Sequence, residues 1–109
     1  MSKKFLGEFE WLILMAIMKL GENAYGVTIA ETIEEWTEKR VSIGALYTSL
    51  SRLEEKGLVR SRTGDPTEER GGRAKKFYML DTSGITTLQQ IEKIRNSALE
   101  NLELLPVLV

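Results

Sequence analysis

A capped helix that runs directly into a basic strand constrains the fold more than any other feature of this chain. Ser42 is a good N-cap, because its hydroxyl can accept a hydrogen bond from an unpaired backbone N–H at a helix start. Gly57 can adopt the left-handed conformation that ends a helix. The pattern predicts a helix over 42–56 and a strand over 58–62. Apolar residues recur on one helix face at spacings of three and four: Ile43, Leu46, Leu50 and Leu53.

The opposite face of this helix carries small or hydrogen-bonding side chains. At 100° per residue, Ala45, Thr48, Arg52 and Glu55 lie away from the apolar stripe, with Gly44 beside them and Tyr47 at the border with the core. A helix fits the major groove of DNA, about 12 Å wide, when its outward face is small or can hydrogen-bond to base edges. The side chains on this face therefore favour a helix that contacts DNA bases over one that only faces solvent.

The order of elements predicts the fold class. Two helices, over 7–20 and 25–36, precede the helix at 42–56. Strands over 58–62 and 75–80 then form a hairpin around a polar loop, and a long helix follows from 81 to 105. We predict a mainly α protein with a β-hairpin: a winged helix-turn-helix DNA-binding domain over residues 1–81 and a C-terminal dimerisation helix over 82–109.

Charge is distributed unevenly along the chain. The net charge of −1 argues at first against a nucleic-acid partner. Residues 39–76, however, hold ten basic and five acidic residues, while the rest holds five basic and eleven acidic ones. A polyanion would meet the basic segment and not the average, so the distribution favours double-stranded DNA as a partner.

Two helices have more apolar surface than one small subunit can easily cover. The first helix is apolar on nearly all faces, and the last has an apolar stripe near heptad spacing. Both observations predict a homodimer. The residues that we expect in the dimer interface are Phe9, Leu12, Met15, Leu88, Ile91, Ala98, Leu102 and Leu105.

Several classes of function are disfavoured. The chain has no histidine and no cysteine, so the common acid–base residue, the thiolate nucleophile and the usual metal ligands are missing. We therefore predict no enzyme, no metal site and no cofactor. The apolar run at 11–18 is too short to cross a bilayer and follows Glu8 and Glu10, which predicts no membrane association and a cytoplasmic location.

Four motifs run from Gly7 to the last helix: GEFEWLILMAIM, AYGVTIAETI, VSIGALYTSLSRLEEKGLVRSR and GGRAKKFYMLDTSG. Together they resemble the PadR family of transcriptional regulators. The family usually has proline after the tyrosine of the recognition helix, where this chain has Thr48. It usually has L-T-x-x-G before the last helix, where this chain has Leu80-Asp81-Thr82-Ser83-Gly84. The short C-terminal helix resembles the smaller members.

The resemblance implies a DNA-binding homodimer, usually a repressor, whose first and last helices form the dimer contact. Many members are released from DNA by small aromatic or drug-like molecules, which implies a small-molecule effector. Trp11, Met15 and Met18 could line a pocket for one, although methionines on an apolar helix more often belong to the core.

The third helix and the hairpin are the predicted DNA contacts, on an inverted-repeat operator. A winged-helix module that binds another protein stays open as the alternative; it would scatter the basic residues or pair them with Glu68 and Glu69. The residues that we expect to contact DNA are Ser42, Gly44, Ala45, Tyr47, Thr48, Arg52, Arg70, Arg73, Lys75 and Lys76.

Overall fold

A computed structural model of the chain describes residues 6–64 and 75–103. Three helices come first: α1 (Glu8–Leu20), α2 (Gly26–Thr37) and α3 (Ile43–Glu55), with one 3₁₀ turn (Gly21–Asn23) between α1 and α2. Strands β1 (Val59–Thr63) and β2 (Lys76–Leu80) form an antiparallel hairpin, and α4 (Thr82–Glu103) follows. The predicted fold class, mainly α with a hairpin, is confirmed. No helix in these residues is long and apolar enough to cross a membrane.

One core holds the three helices and the hairpin together. Contacts of α1 with α2, α3, α4 and β2 place α1 at its centre. The most completely buried side chains come from α1, α2, α3 and β1, and are Ile13, Leu14, Ile17, Ile29, Ile33, Leu46, Leu50, Leu53 and Val59. Ile43, which we predicted on the apolar stripe of α3, is instead 49% exposed. It is the first residue of the helix and lies beyond the edge of the core.

A short segment before α2 pairs with the hairpin, which the sequence pattern did not predict. The N–H of Tyr78 donates to the carbonyl of Ala24 at 2.8 Å, and Tyr25 forms an isolated bridge with Phe77. The free edge of β2 is therefore paired with the segment that enters α2. Tyr78 itself is only 4% exposed, so β2 is fixed in the core at its centre.

The start of α4 is bonded to the turn that follows α3. The hydroxyl of Ser83 donates to the carbonyl of Gly57 at 2.6 Å, and the N–H of Asp81 donates to the carbonyl of Leu58 at 2.9 Å. Gly84 packs on Leu58 so closely that a Cβ there would lie 3.2 Å from the Leu58 carbonyl carbon. These contacts define the direction in which α4 leaves the rest of the fold.

Candidate nucleic-acid interface

The N-terminus of α3 is capped as the sequence predicts. The hydroxyl oxygen of Ser42 accepts a hydrogen bond from the N–H of Ala45 at 3.2 Å. At the other end Gly57 has a φ of 80°, and the N–H of Leu58 donates to the carbonyl of Leu53 at 3.0 Å. This closes the helix with a left-handed glycine and a buried leucine, so α3 has well-defined ends.

The outward face of α3 is exposed and open. Gly44 has only the Ser42 hydroxyl within 4 Å of where its Cβ would be, at 3.9 Å. Among the described residues, the side chains of Thr48 and Arg52 make no hydrogen bond and no ion pair. Their polar groups are therefore available to a ligand. The predicted DNA-contacting residues on this helix are all exposed: Ser42, Gly44, Ala45, Tyr47, Thr48 and Arg52.

Tyr47 joins this surface to α2. It is 43% exposed, and its ring lies against the backbone of Gly26, where a Cβ would come within 2.7 Å of Tyr47 Cζ. Tyr47 is also close enough to the buried Tyr78 to affect its ionisation. The pKa of Tyr78 is raised to about 12, mainly by burial and also by the nearby Tyr47 phenol and Glu54 carboxylate, which act in the same direction.

The hairpin presents two chemically different faces. Arg60 opposes Met79 and Arg62 opposes Phe77, so these four side chains share one face. Ser61 opposes Tyr78 and Thr63 opposes Lys76, so this second set shares the other face. The alternating arginines of the sequence therefore lie on the face opposite Lys76.

Several cations of the basic segment have partners within the chain. Lys56 pairs with Glu10 at 3.1 Å, Arg60 with Asp81 at 3.2 Å and Lys76 with Glu54 at 3.8 Å. These cations are still half or more exposed, so each ion pair is weak and open to exchange for a phosphate. The partners proposed for the protein-binding alternative, Glu68 and Glu69, lie outside the described residues.

Other cations lie over aromatic rings. The ammonium group of Lys75 is 4.1 Å from the centre of the Tyr25 ring, and the guanidinium of Arg62 is 4.8 Å from the Phe77 ring. Such contacts hold the cation near the surface without neutralising its charge. Of the four predicted contacts from the wing, Lys75 and Lys76 are thus located, while Arg70 and Arg73 lie outside the described residues.

The residues predicted for a dimer interface differ in how much surface they leave free for a partner. Leu88 and Ile91 are 4% and 9% exposed, because they pack inside the chain, so they have little surface left for a partner. Leu102 is 60% exposed, and Ile94 and Leu99, which widen the stripe, are about half exposed. Ala98 is exposed, Phe9, Leu12 and Met15 are half-buried, and Leu105 lies outside the described residues.

The three residues suggested for an effector pocket share one face of α1, at spacings of four and three, but they have different surroundings. Met18 lines an open cavity of about 630 Å³ between the end of α1 and the hairpin, together with Ile17 and Met79. Trp11 lies elsewhere, beneath the guanidinium of Arg95 at 4.2 Å, and its buried indole N–H has no hydrogen-bond partner among the described residues. Met15 is half-buried and does not line the cavity.

Comparison with known proteins agrees with the observed fold. Residues 13–90 match the model of the transcriptional regulator PadR-like family. The chain is similar to a PadR family transcription regulator from Clostridium difficile, with 28% identity, a TM-score of 0.71, and coverage of 88% of this chain and 94% of that one. A PadR-like transcription factor from Bacteroides fragilis is 24% identical, with a TM-score of 0.73, and covers 87% and 86% of the two chains. No curated protein matches the chain.

Proposed function

This chain belongs to the PadR-like family of transcriptional regulators, and we propose that it acts as a homodimeric repressor that binds an inverted-repeat operator. Membership in this family establishes that the chain is a transcriptional regulator and not an enzyme. The finer assignment rests on the surfaces of the described residues. In this proposal residues 1–81 form the winged helix-turn-helix unit and residues 82–109 the dimerisation helix.

The observation that carries the proposal is the open outward face of α3. Gly44 and Ala45 leave room for the helix to enter the groove, and Thr48 and Arg52 are exposed with no partner among the described residues. Arg can donate two hydrogen bonds to guanine, and threonine can contact base edges or a thymine methyl group. We assign base reading to this face, with Ser42 and Tyr47 next to the DNA backbone.

The hairpin supplies the contacts that do not depend on sequence. Lys75 and Lys76 lie at the loop end of its strands, and we assign Arg70 and Arg73, which lie outside the described residues, to the same role. Phosphate contacts of this kind contribute affinity and orientation, and each one releases counterions from the DNA. Binding should therefore weaken steeply as salt rises.

Exposed apolar residues on α4 support the dimer. Ile94, Leu99 and Leu102 are each about half exposed or more, and the helix is exposed at every position from Glu92 to Glu100. Burying such a stripe against a second copy would remove it from water. A two-fold dimer places two recognition helices about one turn of DNA apart, about 34–36 Å, which calls for an inverted repeat.

Release of DNA by a small aromatic or drug-like effector is part of the proposal and rests on apolar surface near α1. The indole N–H of Trp11 has no hydrogen-bond partner among the described residues, and Met15 is half-buried. An apolar ligand with a hydrogen-bond acceptor would suit both features. We place this ligand at the dimer interface, where α1 and α4 of two copies would meet.

Selection on random duplex DNA tests the proposed function. The purified chain should enrich one motif with two-fold symmetry, and its affinity for that motif should fall as salt rises. Enrichment of no motif would contradict specific DNA binding. An affinity independent of salt would contradict contact with phosphates.

A further inference from the structure

The side chain of Glu54 connects α3 to both strands of the hairpin. It lies in the last turn of α3, next to the fully buried Leu53. Its Oε2 accepts a hydrogen bond from the hydroxyl of Ser61 on β1 at 2.6 Å. Its Oε1 is 3.8 Å from the ammonium of Lys76 on β2. One carboxylate thus contacts one side chain from each strand.

These contacts are on a single face of the hairpin. Ser61 is opposite Tyr78, and Lys76 is two residues along the same strand from Tyr78, so all three side chains point to one side. Lys76 Nζ is also 5.7 Å from the centre of the Tyr78 ring. Glu54 therefore contacts the face that packs toward α3, at the end of the hairpin where β2 begins and β1 ends.

A carboxylate in this place is unfavourable for a protein that meets a polyanion. Glu54 is partly exposed and lies on the helix that we assign to the major groove. Its negative charge therefore repels phosphate and partly offsets the attraction of Lys76 for phosphate. Electrostatic attraction alone would favour a neutral or basic residue. The two contacts with the hairpin offer a physical reason for an acidic one.

Recognition by two elements requires that they reach the DNA together. If α3 reads bases while the hairpin contacts the backbone, the angle between them sets which phosphates the hairpin meets when α3 is in register. We propose that Glu54 is a positioning residue for DNA recognition, which holds the hairpin against α3 through Ser61 and Lys76. This inference rests on the proposed function, because it assigns a role within the same interface.

Four variants test the proposal: Glu54→Ala, Glu54→Gln, Ser61→Ala and the double variant Glu54→Ala/Ser61→Ala. Glutamine keeps an oxygen that can accept from Ser61 but removes the charge. For each variant, the Kd is measured for the selected duplex and for an unrelated duplex of the same length. The ratio of the two Kd values reports discrimination and is insensitive to the fraction of protein that is folded.

Loss of the hydrogen bond should reduce discrimination. We expect Glu54→Ala and Ser61→Ala each to lower the ratio by roughly threefold to tenfold. The double variant should lose no more than Glu54→Ala alone, because Glu54→Ala already removes the hydrogen bond to Ser61. Glu54→Gln should keep a ratio close to that of the unchanged chain, while binding both duplexes more tightly through the lost repulsion.

Hydrogen exchange in the free protein supplies a second measurement. Amides of β1 and β2 should exchange faster in Glu54→Ala than in Glu54→Gln, because the alanine variant frees the hairpin from α3. The inference would be overturned by an unchanged Kd ratio in Glu54→Ala, or by a double variant whose loss of discrimination is the product of the two single losses. It would also be overturned by equal losses of discrimination in Glu54→Ala and Glu54→Gln, or by unchanged amide exchange in β1 and β2. If the unchanged chain itself shows no preference between duplexes, the proposed function fails and the role of Glu54 in recognition fails with it.

Discussion

The ring of Tyr47 in α3 lies directly on the backbone of Gly26, the first residue of α2. A Cβ at Gly26 would come within 2.7 Å of Tyr47 Cζ and would overlap the phenol oxygen. Gly26 is buried, whereas Tyr47 is 43% exposed. The tyrosine thus fills the space that a side chain at Gly26 would need, and α2 and α3 meet at the edge of the candidate DNA surface.

Gly26→Ala should therefore destabilise the fold through Tyr47. The added methyl group must displace the ring, which should cost about 1–3 kcal/mol in the free energy of unfolding. In a Tyr47→Ala background the same change should cost almost nothing, because the overlap is gone. Chemical denaturation of the unchanged chain, the two single variants and the double variant gives the cost of Gly26→Ala with and without Tyr47. Equal costs in the two backgrounds would contradict the contact.

The buried phenol of Tyr78 should make stability depend on pH in the alkaline range. Burial raises its pKa from 10.0 to about 12, so the folded chain keeps the proton at pH values where the unfolded chain has lost it. The stabilising contribution is complete below pH 10 and is lost as pH rises to about 12. The expected slope from this group is about 1.4 kcal/mol per pH unit.

Comparison with Tyr78→Phe isolates that contribution from other groups that titrate in this range. The difference in unfolding free energy between the two chains should be constant below pH 10 and should change steadily above it. A difference that stays constant throughout would show that Tyr78 ionises as readily in the folded chain as in the unfolded one.

Leu102→Glu should disrupt a homodimer. Leu102 is 60% exposed in the single chain, so a charge there costs little in a monomer but would be buried without a partner in a dimer. We expect sedimentation to change from dimer to monomer at micromolar concentration. Ser97→Glu adds the same charge to a different side of α4 and should remain dimeric. Equal behaviour of the two variants would argue against the α4 interface.

Thr48→Ala and Arg52→Ala should each weaken binding to the preferred duplex. We expect a loss of about 1–3 kcal/mol and a relaxed preference at one base pair, because each side chain is assigned to base edges. Selection with each variant shows which base pair has lost its preference. A loss that is equal on all duplexes would move that residue from base contact to phosphate contact.

The sequence predicts the elements of this fold well where a local signal exists. Ser42 and Gly57 define the ends of α3 through capping and left-handed geometry, and both act as expected. Alternation also locates both strands of the hairpin. Ile43 is an instructive failure, because helical periodicity reports which face is apolar and cannot report where along the helix the core ends.

Long-range partners could not be predicted in the same way. Glu54 contacts residues seven and twenty-two positions away, and no local pattern distinguishes it from a solvated glutamate on a helix. Leu88 and Ile91 lie on the same heptad stripe as Leu102, yet they pack into the chain itself. The apolar stripe of α4 predicts that these residues are buried. Which part of the stripe a second subunit could cover depends on how α4 packs against α1, and the sequence does not give that packing.

Gly44 offers the most direct test of the claim that α3 enters the major groove. It is exposed, and its position has space for a Cβ, so neither Gly44→Ala nor Gly44→Leu should lower thermal stability appreciably. The measurement is the affinity of both variants for the selected duplex. We predict that Gly44→Ala still binds its site and that Gly44→Leu loses specific binding, because the larger side chain holds the helix away from the bases. Normal specific binding by a folded Gly44→Leu chain would contradict the placement of α3.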